Sequence, residues 1–81
     1  MKHCQEIVVV QSGWVFVGEP TLVEGMLVLD NDKNIRVWGT KNGLGELALH
    51  GKTKDTVLDE YGVIKVPLHA VLARIECKVG L

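Results

Sequence analysis

The chain is poor in the residues that staple or stiffen small proteins. It holds two cysteines, two prolines and four aromatics, Trp14, Phe16, Trp38 and Tyr61, in 81 residues. With Cys4 and Cys77 near opposite ends, at most one disulfide can form, which excludes the disulfide-rich secreted scaffolds; in a reducing compartment both are expected as buried thiols. No apolar run reaches the roughly 18 residues that a membrane span needs, and "MKHCQE" turns polar too early for a secretory signal. The expected location is the cytoplasm, with no membrane partner. An excess of one charge is missing too. Nine basic and ten acidic side chains leave a formal net charge of −1, so no overall field draws in nucleic acid or anionic lipid. Metal-ligand spacing of the CxxC or HxxxH kind is absent, His3 beside Cys4 and the distant His69 being the nearest approach, and neither a metal nor another cofactor is expected.

What the chain has is apolar residues, 47% of the total, with a mean hydropathy of +0.19. Residues 1–81 are enough for one domain, and a domain of this size has a large surface for its volume. So much apolar surface on so small a body predicts a homo-oligomer, with a symmetric interface covering part of it.

Strand signals dominate. "EIVVV" (Glu6 to Val10) and "WVFVG" (Trp14 to Gly18) are β-branched and aromatic runs separated by "QSG", which reads as a tight turn or as a bulge within one long strand. After "EP", "TLVEGMLVL" (Thr21 to Leu29) reads as a strand with a bulge or crossing at Gly25. "DNDKN" (Asp30 to Asn34) is the strongest hairpin signal, with "IRVW" returning from it. "TVLDEYGVIKV" (Thr56 to Val66) reads as a second hairpin turning near "DEYG", and Pro67 belongs at an edge or between strands. In "LHAVLARIECKV" the face Val71, Ala73, Ile75, Cys77 and Val79 alternates with one that passes from Leu68, Ala70 and Leu72 to Arg74, Glu76 and Lys78, as in a strand at a sheet edge. Six or seven such segments predict an all-β fold, a small antiparallel β-barrel or sandwich with a glycine-rich central loop. "ELALH" (Glu46 to His50) supplies at most one short helical turn, which is the favoured reading, or a short strand.

Catalytic patterns fail on inspection. "GLGELALHGKT" imitates a phosphate loop, but five residues separate Gly45 from Gly51 where four are required, and no long helix follows Thr53. Neither a Ser/His/Asp nor a Cys/His arrangement can be assembled. Asp59 is expected to cap its turn, and His69, in an apolar run, to be a hydrogen-bonded structural side chain. The chain reads as a binding protein rather than an enzyme. Arg36 lies two residues before Trp38, hence on the same face of a regular strand, and such a pair either anchors a protein partner or stacks a nucleobase. The alternative is that Trp38 fills the core beneath the glycine loop. Lys33, Arg36, Lys41, Lys52 and Lys54 cluster in sequence, but Asp30, Asp32, Glu46 and Asp55 interleave with them and argue against a phosphate-binding stripe.

The stretch "RVWGTKNGLGELALHGKTKDTVLD", Arg36 to Asp59, resembles the central signature of short uncharacterised proteins of bacteriophages, prophages and other mobile elements. Trp38, Gly39, Thr40, Gly43 to Ala48, Gly51, Thr53, Thr56, Leu58 and Asp59 match that pattern in order, and Lys52 stands where a proline is expected. The likeness extends more loosely through "QSGWVFVG" and "VPLHAVLARIEC". It implies a mobile-element accessory protein and brings no activity with it. The resulting expectation is a self-associating protein-interaction module, acting on a host or phage protein through Arg36, Trp38, Lys41, Asn42 and Glu46. A small-barrel binder of single-stranded nucleic acid and a phage structural component are the alternatives.

Overall fold

The computed structural model describes residues 5–41 and 43–81; Cys4, His3 and Asn42 lie outside the described residues. Strands β1 (Glu6–Val10), β2 (Trp14–Val23), β3 (Met26–Val37) and β4 (Val57–Pro67) form an antiparallel meander, with helix α1 (Leu44–His50) inserted between β3 and β4. Strand β5 (Val71–Glu76) returns to pair with β1, giving the spatial order β4-β3-β2-β1-β5. The expected all-β antiparallel architecture is therefore present, in five strands rather than six or seven. One helix of seven residues and two short 3-10 turns, Gln11–Gly13 and Leu68–Ala70, exceed the single helical turn expected.

The sheet is strongly bent. β4 and β5 are its two edges, yet only Leu68–Ala70 connects them, so the edges must lie close together. No β4–β5 pairing is present among the described residues, and the sheet is open there. The bend falls at Gly18, where the register of β2 on β3 shifts. A Cβ at Gly18 would stand 3.0 Å from the Asp30 carbonyl oxygen and 3.2 Å from the Leu29 side chain, so only glycine allows the strands to cross this closely.

Bending gives the sheet two buried faces, which is why β1 is apolar from Ile7 to Val10 instead of alternating with polar residues. On the outer face Ile7, Val15, Val17 and Ile35 pack against Leu47 and Ala48 of α1. The 77–81 tail closes this layer: the Cys77 amide donates to the Gln5 carbonyl at 3.0 Å, the Lys78 amide to that of Ala48 at 2.6 Å, and Lys33 Nζ to that of Leu81 at 2.5 Å. Leu47 is fully buried, a contribution of about 2 kcal/mol relative to exposure. On the inner face Val8, Val10 and Phe16 meet Leu27, Leu29 and Val66. Phe16 pairs with Asn34, and an extended β3 would carry Leu27 about 20 Å from there; their shared cluster shows how far the sheet curls.

Two expected turns are placed differently, and an open reading is decided. "DNDKN" does not reverse the chain: it lies within β3 as an irregular stretch, with Asn31 at φ 51° and its Nδ2 donating to Glu19 Oε2 at 3.3 Å. Asp and Asn tolerate the left-handed conformation that bulges and turns both use, so the same residues serve either. The reversal falls instead at Glu24–Gly25, a two-residue turn with φ 47° and 79° that closes on the Val23–Met26 pair. "DEYG" likewise sits within β4, where Gly62 marks a register shift opposite Asp32. "QSG" is the turn rather than a bulge, joining β1 to β2.

Candidate functional site at the open sheet edge

The glycine-rich loop is held by threonines. Thr56 Oγ1 donates to the Trp38 carbonyl at 2.7 Å, Thr53 Oγ1 to the Gly39 carbonyl at 2.6 Å and Thr40 Oγ1 to the Gly43 carbonyl at 2.8 Å. The Thr53 amide in turn donates to Thr56 Oγ1 at 2.9 Å. Thr53 and Thr56 thus fasten the two ends of the loop to each other.

The sequence-derived contact residues are spread around this clasp. Arg36 is exposed, but its guanidinium is taken by Asp59 on β4, Nε to Oδ2 at 2.8 Å; Asp59 makes this ion pair instead of capping a turn. Between side chains this exposed, such a pair contributes at most about 1 kcal/mol. Trp38 follows β3 and is 43% exposed, so it does not fill the core. Lys41 is exposed in the loop, and Glu46 is partly buried in the first turn of α1 and already engaged. Asn42 lies outside the described residues. His69, expected to be a structural histidine, is exposed in the turn before β5.

A more concentrated arrangement stands where the sheet fails to close. Trp14 and Phe16, two residues apart on β2 and so on one face, stack with centroids 5.8 Å apart and an interplanar angle of 7°. Tyr61 of β4 leans on Phe16 at 6.1 Å and 58°. Phe16 is buried between two rings that are each about half exposed, Trp14 at 48% and Tyr61 at 49%. These rings border a cleft of about 410 Å³. Val10, Ile64 and Val66 line its apolar depth, and Pro67 and Ala70 come from the junction of β4 with the following turn. Lys65 is the charged residue among the described ones that line it. The volume lies within the roughly 300–1,000 Å³ typical of ligand sites, and few polar groups in an apolar setting is their usual composition. Sequence reading names these aromatics without joining them. The two-residue spacing of Trp14 and Phe16 is a usable signal, whereas Tyr61 joins them only through the strand order.

Two titratable groups have unusual surroundings. Asp32, between β2 and β4, is 1% exposed, and neither carboxylate oxygen has a hydrogen-bond partner of good geometry. Burial pushes its carboxyl up to about 7, opposed weakly by the nearby Lys33 amide. A carboxyl titrating there suits proton transfer, but Asp32 does not border the cleft and is closed to solvent. Burial, followed by the negative charge of Glu6, raises the half-buried Cys77 thiol and keeps it protonated, the unreactive form. Among the described residues no three metal-ligating side chains gather, and no helix is long and apolar enough to cross a membrane.

No protein-family model, curated protein or solved structure matches the chain significantly. The functional reading therefore rests on the site itself.

Proposed function

We propose that this protein is a non-catalytic interaction module, an accessory of a phage or other mobile element, which holds a segment of a partner protein in the Trp14–Phe16–Tyr61 cleft. The observation that carries the reading is the row of three rings with its outer two exposed. Large aromatics left half in water above an apolar cavity are the usual anchors of protein contacts. Selection of a random peptide library on the intact protein tests it. Selected peptides should lose at least tenfold in affinity, about 1.4 kcal/mol, on Trp14→Ala or Tyr61→Ala and bind Lys41→Ala normally. Peptides indifferent to both ring substitutions, with thermal melts showing the variants folded, would refute it. The nucleic-acid alternative is less well supported, since Arg36 is committed to Asp59 and the cleft offers one lysine.

A separate observation favours self-association as well. Leu22, Val23 and Leu68 are exposed, and they converge at the β2–β3 turn, where the Leu68 amide donates to the Gly25 carbonyl at 3.0 Å. Light scattering over a dilution series should give a multiple of 8.9 kDa that falls to the monomer in Leu22→Glu. A wild-type monomer at every concentration would remove this second reading and leave the cleft unaffected.

A further inference from the structure

Strand pairing is sparse around Asp32, a buried acid neither of whose carboxylate oxygens has a well-formed hydrogen bond. Toward β2 the register passes from Glu19–Asp30 directly to Val17–Lys33, so Asn31 and Asp32 have no partner there. Toward β4 it passes from Leu29–Ile64 to Asp32–Gly62 and then to Lys33–Glu60, which leaves Val63 and Tyr61 unpaired. Between Ile64 and Glu60, β4 is thus tied to β3 at Gly62 alone, and the residue opposite is Asp32.

The two sides of Asp32 differ in how far they can yield. β2 is paired with β1 as far as Gly18, and the crossing there is so close that an added Cβ would lie 3.3 Å from the Asp32 Cα. β4 is an edge strand whose one neighbour in the sheet is β3, so moving residues 60–63 breaks no pairing beyond it. Gly62, at φ +87°, has no atom within 4 Å of where a side chain would begin, which leaves the segment room to move. Tyr61 rides on that segment. Its ring meets Phe16 in a tilted contact between strands, whereas Trp14 and Phe16 are stacked within one strand.

Among the described residues no cation is placed to hold Asp32 as a carboxylate. On β3, Asp30 is acidic and Lys33 Nζ donates to the Leu81 carbonyl; on β2, Glu19 accepts from Asn31. Glu6 of β1, opposite Gly18, takes Arg74 of β5 at 2.7 Å. On β4, Glu60 and Tyr61 are exposed and Lys65 lies beyond Ile64. The carboxyl accordingly stays neutral in the closed sheet until about pH 7. Once charged it would be buried without a partner, which favours whatever movement brings water to it.

We propose that Asp32 is a pH-sensitive latch: when it ionises, residues 60–63 part from β3, water reaches the carboxylate, and Tyr61 leaves Phe16. The ring row is then complete at acidic pH and open at alkaline pH. The movement needs no ligand and so goes beyond the peptide reading; where that reading holds, the latch releases the peptide as the pH rises.

NMR spectra of the full chain at pH values from 5.5 to 8.5 test it, with the Asp32 carboxyl followed through its side-chain carbon. Cross-peaks between the Tyr61 and Phe16 rings should be present at pH 5.5 and lost at 8.5, with a midpoint that coincides with the carboxyl titration. Those between Trp14 and Phe16 should persist, which also shows that the chain remains folded. Asp32→Asn should keep both sets throughout, and Tyr61→Phe should keep the pH-dependent loss, because the phenol does not cause it. Peptides selected at pH 5.5 should bind the wild type about tenfold more weakly at 8.5 and bind Asp32→Asn equally at both. Tyr61–Phe16 peaks that survive while the carboxyl titrates would show that Asp32 ionises in place, and the proposal would fail. It would fail equally if both ring contacts vanished together, if the carboxyl did not titrate in this range, or if the loss persisted in Asp32→Asn. Rings that part as described with no change in peptide affinity would leave the latch standing and refute the role of Tyr61 in the peptide reading.

Discussion

Stability should fall as the pH rises from 5.5 to 8.5, and Asp32→Asn should abolish the fall. In the folded protein Asp32 titrates near 7, against 3.8 for an unperturbed carboxyl. Between those values the folded state keeps a proton that the unfolded chain has released. Unfolding then gives up a proton, and the free energy of unfolding drops with each step upward in pH until the folded carboxyl also ionises near 7. The linkage allows a loss of up to about 4 kcal/mol across the whole window, of which roughly half lies above pH 5.5. A domain of this length has about 4–12 kcal/mol in total, so the effect is large. The amide introduced by Asp32→Asn would be neutral throughout. The variant should exceed the wild type by about 1–3 kcal/mol at pH 8.5 and lose that advantage at pH 5.5, where Asp32 is itself mostly protonated. Urea midpoints at the two pH values are the measurement. A wild-type midpoint that does not move would mean that Asp32 is solvated or paired, contrary to its burial.

The second large effect concerns two glycines of one loop with opposite expected signs. A Cβ at Gly39 would collide with the Asp55 carbonyl carbon and lie 2.5 Å from the Thr56 nitrogen, and the residue sits at φ +66°. Both contacts are main chain, so a rotamer change cannot relieve them. Gly39→Ala should cost about 3 kcal/mol or more and release the Thr53 and Thr56 bonds that fasten the loop. Gly45 is its control. It is a residue of α1 with nothing within 4 Å of an added methyl and no positive φ. Gly45→Ala should stabilise the protein by about 0.5–1 kcal/mol through helix propensity. Urea unfolding of both variants, with hydrogen exchange at the Thr53 and Thr56 amides of Gly39→Ala, decides the matter. Equal and small effects would show that the loop is not clasped as described.

Much of the fold can be read from local pattern, and the parts that cannot be have a common cause. "EIVVV" and the alternation through Ile75 place β1 and β5 because side-chain period and β-propensity agree there. The helical reading of "ELALH" is right in kind and short by Leu44 and Gly45. "DNDKN" misleads because a bulge and a reversal demand the same backbone chemistry, and only pairing with β2 and β4 distinguishes them. Pro20 misleads as well. It sits inside β2, paired with Leu29, but among the described residues β1 accompanies β2 only as far as Gly18, and no described strand pairs with Pro20 on its other side. At the site, Arg36 and Trp38 read as a pair from their spacing, while the ion pair to Asp59 depends on a strand 23 positions away. The aromatic cleft likewise depends on bringing β4 against the β1–β2 hairpin, which no local window contains.

The pairing of β1 with β5 has a consequence for how the chain reaches its fold. Arg74 meets Glu6 across 68 positions of sequence, whereas the β2–β3 and β3–β4 pairings form by shorter steps along the meander. The cost of closing so long a span falls on the last strand, and the outer-face layer cannot be complete until the tail beyond β5 is in place. An early β1 to β4 meander with late docking of β5 is the route this predicts, in milliseconds to seconds as for other folds dominated by distant pairings. Until that docking, the cleft lacks the turn that carries Ala70, and recognition waits for the final folding step.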